Sequence, residues 1–376
     1  MSDTDYWFTR AEHDQRIARV QQILRSRGQD ALIAFMPESM TWLTGYFTRA
    51  YGGFQFAIIP ASGTPFVVLR DVEKFHFDRT SHYPDCALWS DSDVPLQVGV
   101  RAIERLLGKQ PKLAVELSAW TLSVANYLAL KDALPGACIE DAGSMVAALR
   151  LIKSPAEVAF QRRAARAAEA GMQAGIDSAQ AGASERDMAA SICSAMILKG
   201  SDLPGPGVLS SGERAFHLHG SYSDRVLEAG DLVQLETTPN VRQYHARFMR
   251  PMKVGTATDA EYRLAETLID IQDRALATVA PGVCAAVPDA IYREGVLGAG
   301  LCSEYTNKTF YSVGLMLLPN SGEMLSAVPE SQWVFEPGMV FHSYVLAQGM
   351  GMSETIHVHA GGCERLTHFP RQLFVT

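Results

Sequence analysis

Residues 217–253 read HLHGSYSDRVLEAGDLVQLETTPNVRQYHARFMRPMK. The stretch opens with a polar run holding His217 and His219, turns at Glu228, Ala229 and Gly230, and continues over 231–235 as an apolar strand. That strand ends in a lone carboxylate, Glu236. After a loop through Pro239 and Asn240, residues 244–254 read as a second strand. It puts His245 and Arg247 on one face and Arg250 on the other unless a bulge intervenes. If the two strands pair, an acid, several imidazoles and two guanidinium groups lie close together.

The residues alone leave two readings of this constellation. A buried charge without a partner costs several kcal/mol, so Glu236 is either an internal salt-bridge partner of Arg247 or Arg250, or a nucleophile or general base with imidazoles nearby to move protons. His217 and His219 sit two apart, so on an extended chain they point the same way, a geometry that suits a metal. His357 and His359 repeat the spacing. Tyr311, on a Phe-Tyr-Ser-Val-Gly strand, reads by default as a core tyrosine with its hydroxyl satisfied.

Working outward, 376 residues with 47% hydrophobic and 20% charged composition suffice for two domains with a sizeable core. No apolar run approaches the roughly 20 residues that span a bilayer, and the N-terminus lacks the basic flank and apolar core of a signal peptide. The expectation is a cytoplasmic protein without a membrane partner. A net charge of −8 with no Lys/Arg cluster argues against nucleic acid and for a small-molecule substrate. Six cysteines without a C-x-x-C pair indicate neither a zinc ribbon nor a disulfide framework.

Helix starts are marked by capping boxes at Thr9/Glu12, Ser154/Glu157 (with Pro155 at the first helical position), Ser184/Asp187 and Thr258/Glu261. In the first part, strands at 31–35, 54–59, 64–69, 112–115 and 137–140 alternate with helices at 10–28, 39–46 and 122–134, an α/β domain with a mixed sheet. The second part pairs strands with long helices, an α+β pattern, with further strands at 309–318, 339–346 and 354–359. The expected domains are 1–152 and 153–376.

Several motifs resemble the creatinase, prolidase and methionine aminopeptidase superfamily over essentially the whole chain. They are the Ser154-Pro155 helix start, the strands at Gly230-Asp231 and Gly338-Met339-Val340, and the closing segment from Gly362 to Leu366-Thr367. The resemblance implies a creatinase-like N-terminal domain followed by a C-terminal domain of pita-bread fold. Peptidase members bind two metal ions through two aspartates, a histidine and two glutamates. Here those places fall on Glu236, Arg247, Tyr311, Tyr344 and Ser353, or Glu354 if the register slips by one. An arginine among them would repel the ions, so the expectation is no metal and no cofactor.

Trp42-Leu43-Thr44-Gly45-Tyr46, Tyr311-Ser312-Val313-Gly314, Glu236 followed by Tyr244-His245 and Arg250, Phe341-His342, Ser353-Glu354 and Phe369-Pro370-Arg371 look most like ectoine hydrolase, in the metal-free branch with creatinase. The chain departs from that pattern at His219-Gly220-Ser221-Tyr222 and at Ala246-Arg247, which implies a changed pocket. The implied activity is hydrolysis of a non-peptide C–N bond in a small zwitterionic amidine, urea or guanidino acid. Glu236, His219 and Tyr311 are the expected catalytic residues. Tyr244, His245, Arg247, Arg250, His342, Tyr344, Glu354 and Arg49 are expected around the substrate, Arg49 by reaching across a homodimer from the loop 47–54. The alternatives are a metal-dependent Xaa-Pro peptidase and a non-catalytic pita-bread binding protein.

Overall fold

The computed structural model describes residues 5–317 and 322–376, and the chain forms two compact units, one up to Leu149 and one from Arg150 onward. In the first, α1 (Arg10–Ser26) starts at Thr9, whose hydroxyl accepts from the Glu12 N–H at 3.2 Å. Then follow β1 (Ala31–Ala34), α2 (Pro37–Thr44), β2 (Phe56–Pro60) and β3 (Phe66–Arg70). Residues 71–107, outside the elements expected above, form α3 (Lys74–Thr80), β4 (Cys86–Trp89) and α4 (Pro95–Leu107). The unit continues through β5 (Lys112–Val115), α5 (Val124–Ala133), β6 (Cys138–Asp141) and α6 (Met145–Arg150). Its six strands make one mixed sheet in the order β4-β3-β2-β1-β5-β6, with the antiparallel β2–β3 hairpin expected around Ala61, Ser62 and Gly63.

In the second unit the capping boxes at Ser154, Ser184 and Thr258 form as read, because each needs only residues three positions apart. They open α7 (Pro155–Ser178), α8 (Glu185–Leu198) and α9 (Asp259–Leu276), which is followed by α10 (Ala286–Gly298). Between the helix pairs run β7 (Leu209–Ser211), β8 (Leu232–Thr237), β9 (Asn240–Val241), β10 (Tyr244–His245) and β11 (Phe248–Lys253). After them come β12 (Phe310–Ser312), β13 (Ser326–Ala327), β14 (Val340–Ala347), β15 (Met350–His359), β16 (Gly362–Arg365) and β17 (Phe374–Val375). The strand expected over 309–318 is shorter, and Leu318 lies outside the described residues.

The strands form two main sheets, β17-β11-β8-β7 and β13-β12-β14-β15-β16. Helices α7 and α8 bury Ala168, Met172 and Ile192 against Leu235 and Phe248 of the first sheet. Helices α9 and α10 bury Leu268, Ile271 and Tyr292 against Phe310, Phe341 and Val345 of the second. Each half therefore repeats the order helix pair and antiparallel strands. Among the described residues no helix is long and apolar enough to cross a membrane, and all six cysteines are free.

The sheets meet at β11 and β15, where side-chain hydroxyls replace a backbone ladder. The Thr355 hydroxyl accepts from the Arg247 N–H and donates to the Arg247 carbonyl, both at 2.8 Å, and the Ser353 hydroxyl accepts from the Met249 N–H at 2.7 Å. Arg250 closes the same seam. It is fully buried and donates to Glu354 Oε1 at 2.8 Å and to the carbonyls of Met249, Ser353, Phe369 and Pro370, which occupies all five of its N–H donors. The expectation that Arg250 and Glu354 meet the substrate is corrected: the two pair with each other away from solvent, Glu354 with Arg365 beside it as well, and neither lines the cavity described below. Arg250→Ala, which removes the buried cation from the Glu354 carboxylate and leaves it Arg365 at 3.4 Å and the Thr367 hydroxyl, is expected to lower the unfolding free energy by about 3 kcal/mol. Arg250→Met with Glu354→Met should lose less, and urea unfolding of the two variants checks both.

Candidate functional site

Residues of β8, β12 and β14, with the segments that lead into them, enclose a cavity of about 670 Å³ in the second unit. Glu236 lies inside β8 rather than beyond its end, and its side chain is 7% exposed. Gly207 fixes the approach to it. With φ at +76° it runs so close that a Cβ would sit 1.9 Å from the Glu236 carbonyl oxygen. Only glycine fits that turn.

Among the described residues Glu236 Oε1 has no hydrogen-bond partner; it stands 3.9 Å from Arg247 Nη1 and 3.6 Å from His342 Nε2. Burial raises its pKa, and the charges of Arg247 and His219 oppose that rise only in part. The carboxyl is therefore placed to take and return a proton above the usual carboxylate range.

Arg247 reaches the cavity because the expected strand over 244–254 is broken. β10 stops at His245 and β11 starts at Phe248, and Thr355 takes up the backbone groups of Arg247 in between. The guanidinium donates to the Tyr311 hydroxyl at 2.8 Å. A hydroxyl that accepts this bond keeps its own proton to donate. Burial drives the Tyr311 and Tyr344 phenols far above their ordinary range, so both stay protonated. The Tyr311 and His342 rings meet edge to face at 4.9 Å, and His342 stacks on Tyr344 at 5.3 Å. Burial, with the Arg247 charge beside it, holds the His342 imidazole well below its ordinary pKa, hence neutral. Its Nε2 lies 2.7 Å from the Ser353 hydroxyl. Ser353 pairs with Tyr344 across the strands, while Glu354 turns to Arg250.

His219, exposed and in the left-handed region at φ 68°, lines the cavity, whereas His217 does not. The sequence reading assumed an extended chain, and the turn after Ser211 with the left-handed His219 removes the shared direction. Tyr244 and His245 also lie outside the cavity lining. The Tyr244 hydroxyl donates to Glu157 Oε1 at 2.6 Å. His245 Nε2 donates to the Met316 carbonyl at 2.9 Å, and burial pushes this imidazole down to about 3. Arg49 is an exposed residue of the first unit. The expected residues that share the cavity are thus Glu236, His219, Tyr311, Arg247, His342 and Tyr344. Sequence reasoning missed Lys308, which joins them with its Nζ 5.1 Å from the Tyr311 ring. A lone lysine three residues before Tyr311 was the only signal for it.

These residues do not fit a dinuclear metal site. Among the described residues no group of three or more His, Cys, Asp or Glu side chains is placed to hold a metal ion. The guanidinium beside Glu236 would repel a divalent cation there.

Two family models match the chain: the creatinase/prolidase N-terminal domain over residues 16–152 and metallopeptidase family M24 over 159–360. The ectoine hydrolase of Halomonas elongata is 27% identical over 98% of both chains. The Xaa-Pro dipeptidase of Pyrococcus furiosus is 27% identical over 60% of this chain and 65% of its own. Among solved structures, dipeptidase PepE from Mycobacterium ulcerans aligns with a TM-score of 0.84 at 24% identity, covering 98% of this chain and 99% of that one. The prolidase from Pyrococcus horikoshii also reaches 0.84, at 20% identity over 96% and 99%. With a creatinase-like first domain and a pita-bread second domain, the chain belongs to metallopeptidase family M24.

Proposed function

We propose that this chain is a hydrolase that opens a non-peptide C–N bond of a small zwitterionic amidine or guanidino compound, ectoine-like or creatine-like, without a metal ion. One observation carries the reading: a buried carboxylate with an unpartnered oxygen faces the cavity, and the group beside it is a guanidinium rather than further metal ligands. The full-length similarity to an ectoine hydrolase supports it. Similarity to Xaa-Pro dipeptidases favours peptide cleavage instead, but that chemistry as the family performs it requires the donor set that Arg247, Tyr311 and Tyr344 replace.

In this mechanism Glu236 acts on the electron-poor carbon flanked by nitrogens, as nucleophile or as base toward water. As base, Glu236 takes a proton from water while the C–O bond forms, the C–N bond breaks and that proton goes to the departing nitrogen. As nucleophile, its oxygen forms the C–O bond, the departing nitrogen takes a proton from His219, and water then cleaves the bond to Glu236 and returns the proton to His219. His219 passes that proton, since an imidazole can accept on one ring nitrogen and serve as acid and base in turn. Tyr311 and Tyr344 donate hydrogen bonds that orient the substrate, and Arg247 holds its carboxylate.

Purified protein is expected to turn over at least one of ectoine, hydroxyectoine or creatine. Glu236→Gln should cut kcat by roughly 10³-fold or more while leaving the melting temperature unchanged or raised, as the loss of a main catalytic group implies. Cleavage of Xaa-Pro dipeptides alone by the wild-type protein would overturn the reading. The pH profile supplies a second check. Glu236 must be ionised to act and its pKa is raised by burial, so kcat/KM should rise with pH along a limb centred above the ordinary carboxylate range. A limb at the ordinary value of about 4.3 would contradict the role.

A further inference from the structure

We infer that the substrate's anionic end is a carboxylate gripped by two cations, Arg247 and Lys308, and that Lys308 sets the requirement for it. The inference rests on the hydrolase reading above and adds Lys308 to it as a second carboxylate ligand and the residue that selects the acid.

The charges facing the cavity do not balance. Arg247 and Lys308 are cationic, Glu236 is the one carboxylate among the lining residues, and His342 is neutral. Elsewhere in the second unit, buried or half-buried lysines are paired: Lys153 with Glu323, and Lys253 with Glu261 at 2.6 Å. Lys308 is half-buried, yet among the described residues its polar contact is a long one, 3.5 Å to the Ser326 hydroxyl, with no carboxylate in reach. Burial and the nearby Arg247 charge both lower its pKa, the mark of a cation that lacks an anion.

Tyr311 connects the two cations. Its ring lies 5.1 Å from Lys308 Nζ and 5.5 Å from Arg247 Cζ, and its hydroxyl, already accepting from Arg247, has a proton left to donate. A carboxylate here would receive charge-assisted bonds from both cations and one from the phenol. Two cations against one Glu236 carboxylate leave a single positive charge, which matches a monoanion. A phosphate dianion would overshoot and face Glu236 with like charge. The cationic or amidine end of the same molecule then falls to Glu236.

The test is calorimetric titration of the full chain carrying Glu236→Gln, in which turnover does not intrude. The probes are N-acetylglycine, N-acetylglycinamide and inorganic phosphate. N-acetylglycine should bind at least about tenfold more tightly than its amide, as expected when a charge-assisted pair is lost. Adding Lys308→Met should weaken N-acetylglycine by about 10- to 100-fold and leave the amide unchanged. Lys308→Arg in its place should restore most of the affinity, which separates lost charge from a disturbed fold. Equal behaviour of acid and amide (including no binding of either), indifference to Lys308→Met, or, in a parallel titration of the chain with Glu236 intact, tighter binding of phosphate than of N-acetylglycine overturns the inference. Failure of the hydrolase reading would show elsewhere, as turnover that survives Glu236→Gln in the activity assay.

Discussion

The guanidinium of Arg247 stands 3.9 Å from a carboxylate whose pKa burial raises and whose ionised form that guanidinium favours, and much of the second unit serves to hold the two in that relation. Glu236 is fixed by β8, which pairs with β11 along its whole length and with β7 on the other side, and its own carbonyl permits only glycine at position 207. Arg247 is fixed by Thr355, which satisfies its backbone from the second sheet, and by the Tyr311 hydroxyl. The charge therefore sits on a seam between two sheets, and its position depends on both.

That arrangement explains how a fold shared with dipeptidases can hold a different site. A pita-bread unit supplies strands from two sheets that converge on one cavity, whatever side chains they carry. With four carboxylates and a histidine at the five places, the cavity concentrates negative charge and calls for cations. With Glu236, Arg247, Tyr311 and Tyr344 lining it, the cavity presents one acid, one cation and two phenols, and its need is the reverse. Lys308 adds to the positive side of the same balance.

What the sequence made legible follows from the range of the interactions involved. The capping boxes at Ser154, Ser184 and Thr258 are complete within four residues, so the helix starts could be read directly. The β2–β3 hairpin and the alternation of the first unit are local in the same sense. The placement of Arg247 was not legible as geometry, because Thr355, the residue that interrupts the strand, lies 108 positions further on. For the same reason Arg250 and Glu354 looked like site residues: nothing local tells a buried pair from two groups facing a ligand. His219 was read on an extended chain and takes a left-handed conformation instead. Lys308 carries no motif, and only the assembled cavity distinguishes it from any other lysine.

The central claim is that Arg247 has taken the place of metal chemistry at Glu236. It is tested most directly by elemental analysis of the protein purified from cells grown with added manganese, cobalt and zinc. The account predicts well under one metal ion per chain, with turnover unchanged after dialysis against EDTA. One or two ions per chain, lost together with activity on chelation or on substitution of Glu236, would contradict it.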